Sequence, residues 1–292
     1  MLSIIYITKN RCDELKESIL SCESHVTINH EYVVVDNGSQ DATSDVVKSL
    51  KETGIAIQYL PQLENFGVAG GRNIGSRAAK GDILYFIDDD AIIASKNMCL
   101  DDAYRFLISH DDIYAMGTDI YDTERQKRLL GIKSKNRESG MNVVMNYIGC
   151  SHFVKKSSLS MGDLYPDNLI YGSEELYAAL SFYSDGGHII LYDKVFVLHR
   201  PSSNTRTSRI ERKREGYINT FVIKRYFLPR CLWIISKVLF CLRLFRFERY
   251  NIGQIISDYR VAISRYDSKY SKVLSWSKLG SLINEFGFLN IF

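Results

Sequence analysis

Three adjacent carboxylates, Asp88, Asp89 and Asp90, follow five apolar residues in the stretch ILYFIDDDA (83–91). On a strand, alternate side chains share a face, so Asp88 and Asp90 point one way and Asp89 the other. Two residues of rise separate the like-facing pair by roughly 7 Å. At an effective dielectric near 20 their repulsion is about 2 kcal/mol, a large fraction of the net stability of a domain. Such a cluster needs a proton, a basic side chain or a bound cation to neutralise it. Magnesium or manganese takes carboxylate oxygens of this kind and commonly shares a diphosphate with the protein. A lone pair of acids is usually a solvated turn or a helix cap. Three acids directly after five apolar residues favour the cation site.

Three further stretches bear on that chemistry. His199 ends VFVLH (195–199), and a neutral imidazole suits manganese. Alone it reads as a packed or surface histidine; the acid cluster raises its value. NFGVAGGRNIG (65–75) has glycines at 67, 70, 71 and 75. They allow close backbone approach, a helix start there offers N–H groups to an anion, and Arg72 adds a cation for phosphate. The spacing is neither that of a dinucleotide fingerprint nor that of a P-loop, and tight helix–sheet packing explains the glycines equally well. In YGSEELYAAL (171–180), Glu174 and Glu175 open a helix. They either offset its dipole or supply a general base, and spacing does not choose between the two.

The elements that must position these groups alternate. Strand-like runs at 2–8, 31–36, 55–60 and 83–88 are separated by helical patterns at 13–24 and 41–54 and by a Gly-rich loop feeding a helix at 67–81. This repetition predicts an α/β fold with a mostly parallel, Rossmann-like sheet flanked by helices. Sites in such sheets lie at the carboxyl ends of strands. Thr8, Asp36 and Asp88 all fall there. Farther on come a helix at 97–109, a strand at 113–121, a polar turn-like loop at 123–140 and strand character at 142–156. A helix at 174–187, closed by a Gly pair, precedes two strands over 188–200. PSSNTRTS (201–208) reads as a linker. From 209 to 249 the chain is helical in tone and mixes Arg/Lys with Phe, Leu, Ile, Trp and Tyr; a second helical pair is expected at 251–267 and 275–287.

Composition bounds the rest. With 292 residues, 46% hydrophobic and 24% charged, the chain is an ordinary globular protein, long enough for one α/β domain plus an appendage. A net charge of +3 does not indicate a nucleic-acid partner. Six cysteines show neither C-x-x-C nor zinc spacing. They read as free thiols of a reducing compartment. The start MLSIIYITKNR reads as a first strand rather than a signal peptide, so a cytoplasmic location is expected. No run of eighteen apolar residues suggests a membrane span.

Taken in order, ITKNR, VVVDNGSQDAT, ENFGVAGGRNIG, FIDDDA, GSEE and LH resemble the family-2 inverting glycosyltransferases of the nucleotide-diphospho-sugar (GT-A) fold. The resemblance covers roughly residues 1–200, and the C-terminal third matches only in tone. It implies a GT-A catalytic domain over 1–205 and a helical C-terminal region over 206–292. Residue by residue, Thr8, Asn10 and Arg11 would line the nucleotide pocket, and Asp36 would hydrogen-bond the pyrimidine. Asn65, Gly67, Arg72 and Asn73 would hold base, ribose and diphosphate. Asp88 to Asp90 match the acidic DxD element: Asp90 with Asp88 would hold manganese or magnesium, Asp89 would face the ribose, and His199 matches a metal-ligand histidine. Glu174 and Glu175 occupy the place of the family's Glu–Asp base pair, and Glu175 stands where the catalytic Asp usually is, so the base is one of the two. Sugar contacts would come from Gly71–Asn73, the 145–152 strand and the loop before Glu174.

The implied reaction is one in-line displacement from a nucleotide-diphospho-sugar to a hydroxyl of a saccharide or lipid-linked saccharide in cell-surface polysaccharide synthesis. The donor is a UDP-sugar first and dTDP-rhamnose second. Two rivals differ in class. A sugar-nucleotide pyrophosphorylase would want a Gly-rich loop with a basic residue after the first strand, which TKNR lacks. A non-catalytic scaffold of a polysaccharide assembly complex would not need the intact acids. The basic and apolar mixture over 209–250 resembles an interfacial amphipathic helix pair, which would hold the protein peripherally on the inner face of a membrane. A packed appendage or a homodimer interface is the alternative.

Overall fold

The computed structural model of the chain describes residues 1–134, 141–159, 163–169, 172–201, 209–247 and 251–292. The linker expected at 201–208 and the domain boundary at 205/206 fall outside them beyond Pro201. So do 135–140 of the polar loop, 170–171 ahead of Glu174, and Arg249. Four apolar runs form β1 (Leu2–Thr8), β2 (His30–Asp36), β3 (Ile57–Pro61) and β4 (Ile83–Ile87). Helices α1 (Cys12–Glu23), α2 (Thr43–Glu52) and α3 (Gly67–Ala78) make the crossovers. All four strands pair in parallel in the order β3-β2-β1-β4, with Thr8 beside Asp36 at the carboxyl ends.

After β4 come β5 (Ala91–Ile93), α4 (Cys99–Ile108), β6 (Ile113–Asp122) and β7 (Lys127–Leu129), then β8 (Ser151–Lys155), α5 (Glu174–Asp185) and β9 (His188–His199). The sheet continues from β4 as β8-β6-β9-β5, with β7 on the flank of β6. This second half is mixed: β8 is antiparallel to both β4 and β6, whereas β6 and β9 are parallel. Parallel neighbours need a long crossover connection. A helix, α5, lies between β8 and β9, but among the described residues none lies between β6 and β8. Part of the expected 123–140 loop is the β6–β7 hairpin. The two strands expected over 188–200 are one, broken in register opposite Thr118 and Asp119. Strand character at 142–156 becomes a regular strand only from Ser151; before it, isolated bridges join Lys133 to Val144 and Val143 to Ile190.

The central strands are buried on both sides and so read as continuous apolar runs. Ile4 and Tyr6 face one core with Leu15, Ile19 and Leu100, and Ile5 faces the other. That second core extends through α5 into the C-terminal helices α6 (Arg209–Phe227), α7 (Trp233–Phe247), α8 (Ile252–Arg265), α9 (Trp276–Phe286) and α10 (Phe288–Ile291). Tyr177 of α5 packs edge-on against Tyr226 and Phe227 of α6. Arg214–Asp258 and Arg265–Glu215 ion pairs, the first on a buried carboxylate and the second partly exposed, clamp α6 to α8. Among the described residues, no helix is long and apolar enough to cross a membrane.

The glycine-rich segment is helical from Gly67 itself, so its glycines lie inside α3 rather than in a loop before it. Packing against β1 overrides their low helix propensity: a Cβ on Gly75 would lie 2.5 Å from Ile5 Cγ2, and one on Gly71 2.9 Å from Ile7 Cγ2. Gly→Ala in a helix ordinarily stabilises by about 1 kcal/mol. Here overpacking of roughly 1–3 kcal/mol should outweigh that. Gly75→Ala is therefore expected to lower the midpoint of urea unfolding; a raised midpoint would disprove the close approach of α3 to β1.

Candidate active site

The carboxyl end of β4 delivers the three acids into two different environments. Asp89 and Asp90 are buried, while the Asp88 side chain is 39% exposed. Arg11, at the start of α1, reaches across the rim and donates from Nη1 to Asp89 Oδ1 at 2.7 Å and to Asp90 Oδ2 at 3.1 Å. Burial pushes the Asp89 carboxyl up to about 7; Arg11 opposes this and Asp90 adds to it. The backbone fixes the turn as well. Asp88 N–H donates to the Cys150 carbonyl at 2.9 Å, and Arg200 N–H to the Asp90 carbonyl at 2.8 Å.

His199 ends β9 in register with Asp122 of β6 on one side and Ala91 of β5 on the other. Its Nε2 lies 3.3 Å from Asp90 Oδ1 and its Nδ1 3.5 Å from Asp122 Oδ2. Burial works against the imidazolium, but Asp90, Asp88 and Asp122 outweigh it and raise the pKa. One ligand atom each from Asp88, Cys150 and His199 lie within 4.8 Å of one another. Burial, then Asp88 and Asp90, push the Cys150 thiol up. Sequence reasoning brought Asp88, Asp90 and His199 to this rim but missed Cys150 and Asp122. An acid ending the strand GTDIYD was the available signal for Asp122; Cys150 offered none.

Arg72 joins this rim to the glutamate pair. It projects from α3, is buried, and donates from Nη2 to the Gly149 carbonyl at 2.8 Å and to Asp88 Oδ1 at 3.3 Å. Its Nη1 lies 3.5 Å from Glu175 Oε1 and 3.8 Å from Glu174 Oε1. One guanidinium thus serves three carboxylates. Glu174 is buried, whereas the Glu175 side chain is 20% exposed and faces a cavity of about 260 Å³. Burial, then the charge of Glu174, raise the Glu175 carboxyl well above the usual range, with Arg72 opposing. Ser173, the residue before this helix, has a φ of +67° and hydrogen-bonds Thr220 of α6 at 2.9 Å, so α6 sets where α5 begins.

The remaining expected residues line the loops around the rim. Asp36 accepts from Tyr59 Oη at 2.5 Å and from Ser39 N–H at 2.8 Å. Thr8 is buried at the end of β1, and its carbonyl accepts from Asn37 N–H at 2.9 Å. Asn10, at a φ of +52°, accepts from Gln40 N–H at 2.7 Å and so ties the first two strand–helix loops together. Asn65 caps Gly67 N–H at 2.9 Å, while Gly71 is buried against Ile7. Asn73 is directed elsewhere: its Oδ1 accepts from Leu164 and Tyr165 N–H, both at 3.1 Å, and its Nδ2 donates to the Tyr165 carbonyl at 2.8 Å. Asn73 therefore anchors the 164–165 backbone.

The sequence profile described as Glycosyl transferase family 2 matches residues 3–161, more than half of the chain. The chain belongs to glycosyl transferase family 2. An uncharacterized protein of Haemophilus influenzae is 26% identical to this glycosyltransferase over 172 residues, 57% of this chain and 93% of that one. The GalNAc(5)-diNAcBac-PP-undecaprenol beta-1,3-glucosyltransferase of Campylobacter jejuni is 36% identical over 90 residues, 30% of this chain but only 29% of that enzyme. In fold, the glycosyltransferase is similar to S. aureus TarS 1-349 in complex with UDP-GlcNAc, with a TM-score of 0.64 and 16% identity over 92% of this chain and 82% of that one. It is also similar to the mannosyltransferase PcManGT of Pyrobaculum calidifontis in complex with GDP-Man and Mn2+, with a TM-score of 0.59 and 15% identity over 96% and 78%. The mixed sheet flanked by helices is the GT-A fold.

Gly149 is the least conspicuous residue of the glycosyltransferase's site. A Cβ there would collide with Glu175 Oε1 and stand 3.0 Å from both terminal nitrogens of Arg72. Displacing a catalytic group by about 1 Å typically lowers turnover about 10²-fold. Gly149→Ala is expected to lower kcat by about that factor while melting within a few degrees of the parent; full activity would show that the Arg72–Glu175 geometry is not needed.

Proposed function

We propose that the chain is a metal-dependent inverting transferase that moves a sugar from a nucleotide-diphospho-sugar, a UDP-sugar first and dTDP-rhamnose second, to a hydroxyl of a saccharide or lipid-linked saccharide. The observation that carries this reading is the single buried Arg72, which holds the rim acid Asp88 and the cavity-facing Glu175 in one contact network. Carboxylate, imidazole and thiol atoms of Asp88, His199 and Cys150 converge, and Asp122 Oδ2, 3.5 Å from His199 Nδ1 and from Arg125 Nη1, is buried without a hydrogen-bond partner among the described residues. That donor set fits a divalent cation, with Asp88, Asp90 and His199 as the holding residues and manganese or magnesium as the ion. A divalent ion bound there offsets charge on the departing diphosphate. PcManGT, carrying Mn2+, supports this choice.

The protein groups then have distinct tasks. Asp36 and Thr8, with Asn10, Arg11, Asn65 and Gly67 on the flanking loops, form the nucleotide side, and Asp89 faces the ribose. Arg72 keeps Glu175 oriented. Glu175 is the better candidate for the base, because it opens onto a cavity while Glu174 is buried. It takes the proton from the acceptor hydroxyl as that oxygen attacks the anomeric carbon. A carboxyl raised by burial is a stronger base once ionised, and it is ionised only above its raised pKa. The acid limb of kcat/KM therefore lies above the ordinary carboxylate range, and activity climbs with pH through it.

Release of UDP from a panel of donors should require manganese or magnesium and stop with chelator. Glu175→Gln should lower turnover by roughly 10²–10⁴-fold and remove the acid limb, and Glu174→Gln should retain that limb. Metal-independent turnover, or an acid limb that survives Glu175→Gln, would refute the assignment.

A peripheral membrane role is supported by α7, where Ile234, Val238, Leu242 and Phe245 are exposed along one stripe beside exposed Lys237 and Arg246. Apolar contact plus basic attraction is what an interfacial helix uses on anionic lipid. The full chain should sediment with vesicles containing phosphatidylglycerol, and Leu242→Asp with Phe245→Asp should release it. Failure to sediment, with a concentration-dependent dimer that the same changes dissolve, would assign the stripe to a homodimer instead.

A further inference from the structure

The cavity that Glu175 faces is also lined by two basic side chains. Lys224 of α6 is only 5% exposed, and Arg243 of α7 lines the same space. Among the described residues neither makes an ion pair; the cation in contact with Glu175 is Arg72. Burying an ammonium without a counter-ion is strongly unfavourable. Burial, and then Arg243, lower the Lys224 pKa to about 7. A second small cavity shares Lys224 and Arg243 and adds Ser236, whose hydroxyl is buried without a hydrogen-bond partner. Asn146, Ser173, Thr220 and Asn290 complete the polar lining of the larger space. If α6 and α7 only had to pack together, an apolar side chain would fill the position of Lys224 at lower cost. A buried amine and a guanidinium with no carboxylate partner among the described residues, a buried hydroxyl without a hydrogen-bond partner there, and an open volume together fit a site whose counter-ion arrives with a ligand.

We propose that Lys224 and Arg243 form an acceptor subsite for an oxyanion, so that the saccharide receiving the sugar carries a phosphate ester or a carboxylate next to the reacting hydroxyl. This rests on Glu175 being the base, since that places the acceptor in the cavity that these two cations line. Arg243 supplies a planar fork for two oxygens, and Lys224 supplies a compact charge. The two cations select the acceptor by its charge while Glu175 takes the proton from its hydroxyl.

The test uses the full chain with its donor site saturated by UDP and manganese, so that added anions cannot bind there. Melting is followed at constant ionic strength with inorganic phosphate, glycerol 3-phosphate, glucuronate, and neutral glycerol and glucose. A ligand that binds only the folded state raises its melting temperature; for a chain of this size, a rise of about 2–4 °C is expected from at least one anion and none from the neutral compounds. A response to glycerol 3-phosphate and phosphate alone identifies a phosphate ester, and a response to glucuronate alone a carboxylate. Lys224→Met should melt higher than the parent, because a buried charge is gone, and should lose the anion response; Lys224→Arg should keep it. No response to any anion, or a response that persists in both Lys224→Met and Arg243→Met, overturns the proposal. The readout needs no turnover, so it stands or falls separately from the pH-profile test of Glu175.

Discussion

The site depends on an imbalance of buried charge. Asp88, Asp89, Asp90, Asp122, Glu174 and Glu175 converge on one rim, and among the described residues the cations that contact them are Arg11, Arg72, Arg125 at Asp122 and, when protonated, His199. Carboxylates this close are held apart in water by solvation and inside a protein only by counter-charge. Arg11 answers the inward-facing acids, and Arg72 answers Asp88 and both glutamates. Neither guanidinium can lose its proton, so the partial compensation is permanent. The surplus of negative charge makes the rim receptive to a cation.

The fold places the acids of that network, Arg11 and His199 at strand ends or helix starts, and Arg72 within α3. β1, β2 and β4 end on Thr8, Asp36 and the acid triplet; β6 and β9 end on Asp122 and His199 in register. Arg72 reaches them because α3 lies close to β1, which the glycines on its inner face permit. Here one packing detail has a chemical result: a larger side chain at position 75 would lift the helix and, with it, the cation that orients Glu175.

Much of this was legible in the sequence because strand ends are. An apolar run with acids or a histidine at its close marks both the element and the rim, which is why Asp36, Asp88 to Asp90 and His199 could be named without coordinates. Residues that come from irregular backbone were not legible. Gly149 and Cys150 belong to a segment that carries the look of a strand but crosses the rim ahead of the regular strand β8, and no periodicity marks such a path. The glycines of α3 were read as a loop because propensity is local and the contact with Ile5 is not. Lys224 sits among apolar residues in a helix rich in basic ones, and only its burial distinguishes it from its neighbours.

The core that α5 shares with α6 also bears on the order in which the parts become functional. The proposed nucleotide side of the rim is built from the first hundred residues and their mostly local crossovers, whereas the helix bearing Glu175 packs its Tyr177 against Tyr226, Phe227 and Tyr270. Contacts of such long sequence separation form late in folding. During synthesis on the ribosome, a nascent chain would therefore present most of the proposed nucleotide cleft while the helix bearing Glu175 still lacked support. On the proposed assignment, competence for transfer arrives with the docking of α6, and a chain cut before it would keep the strand-end rim but leave Glu175 unsupported.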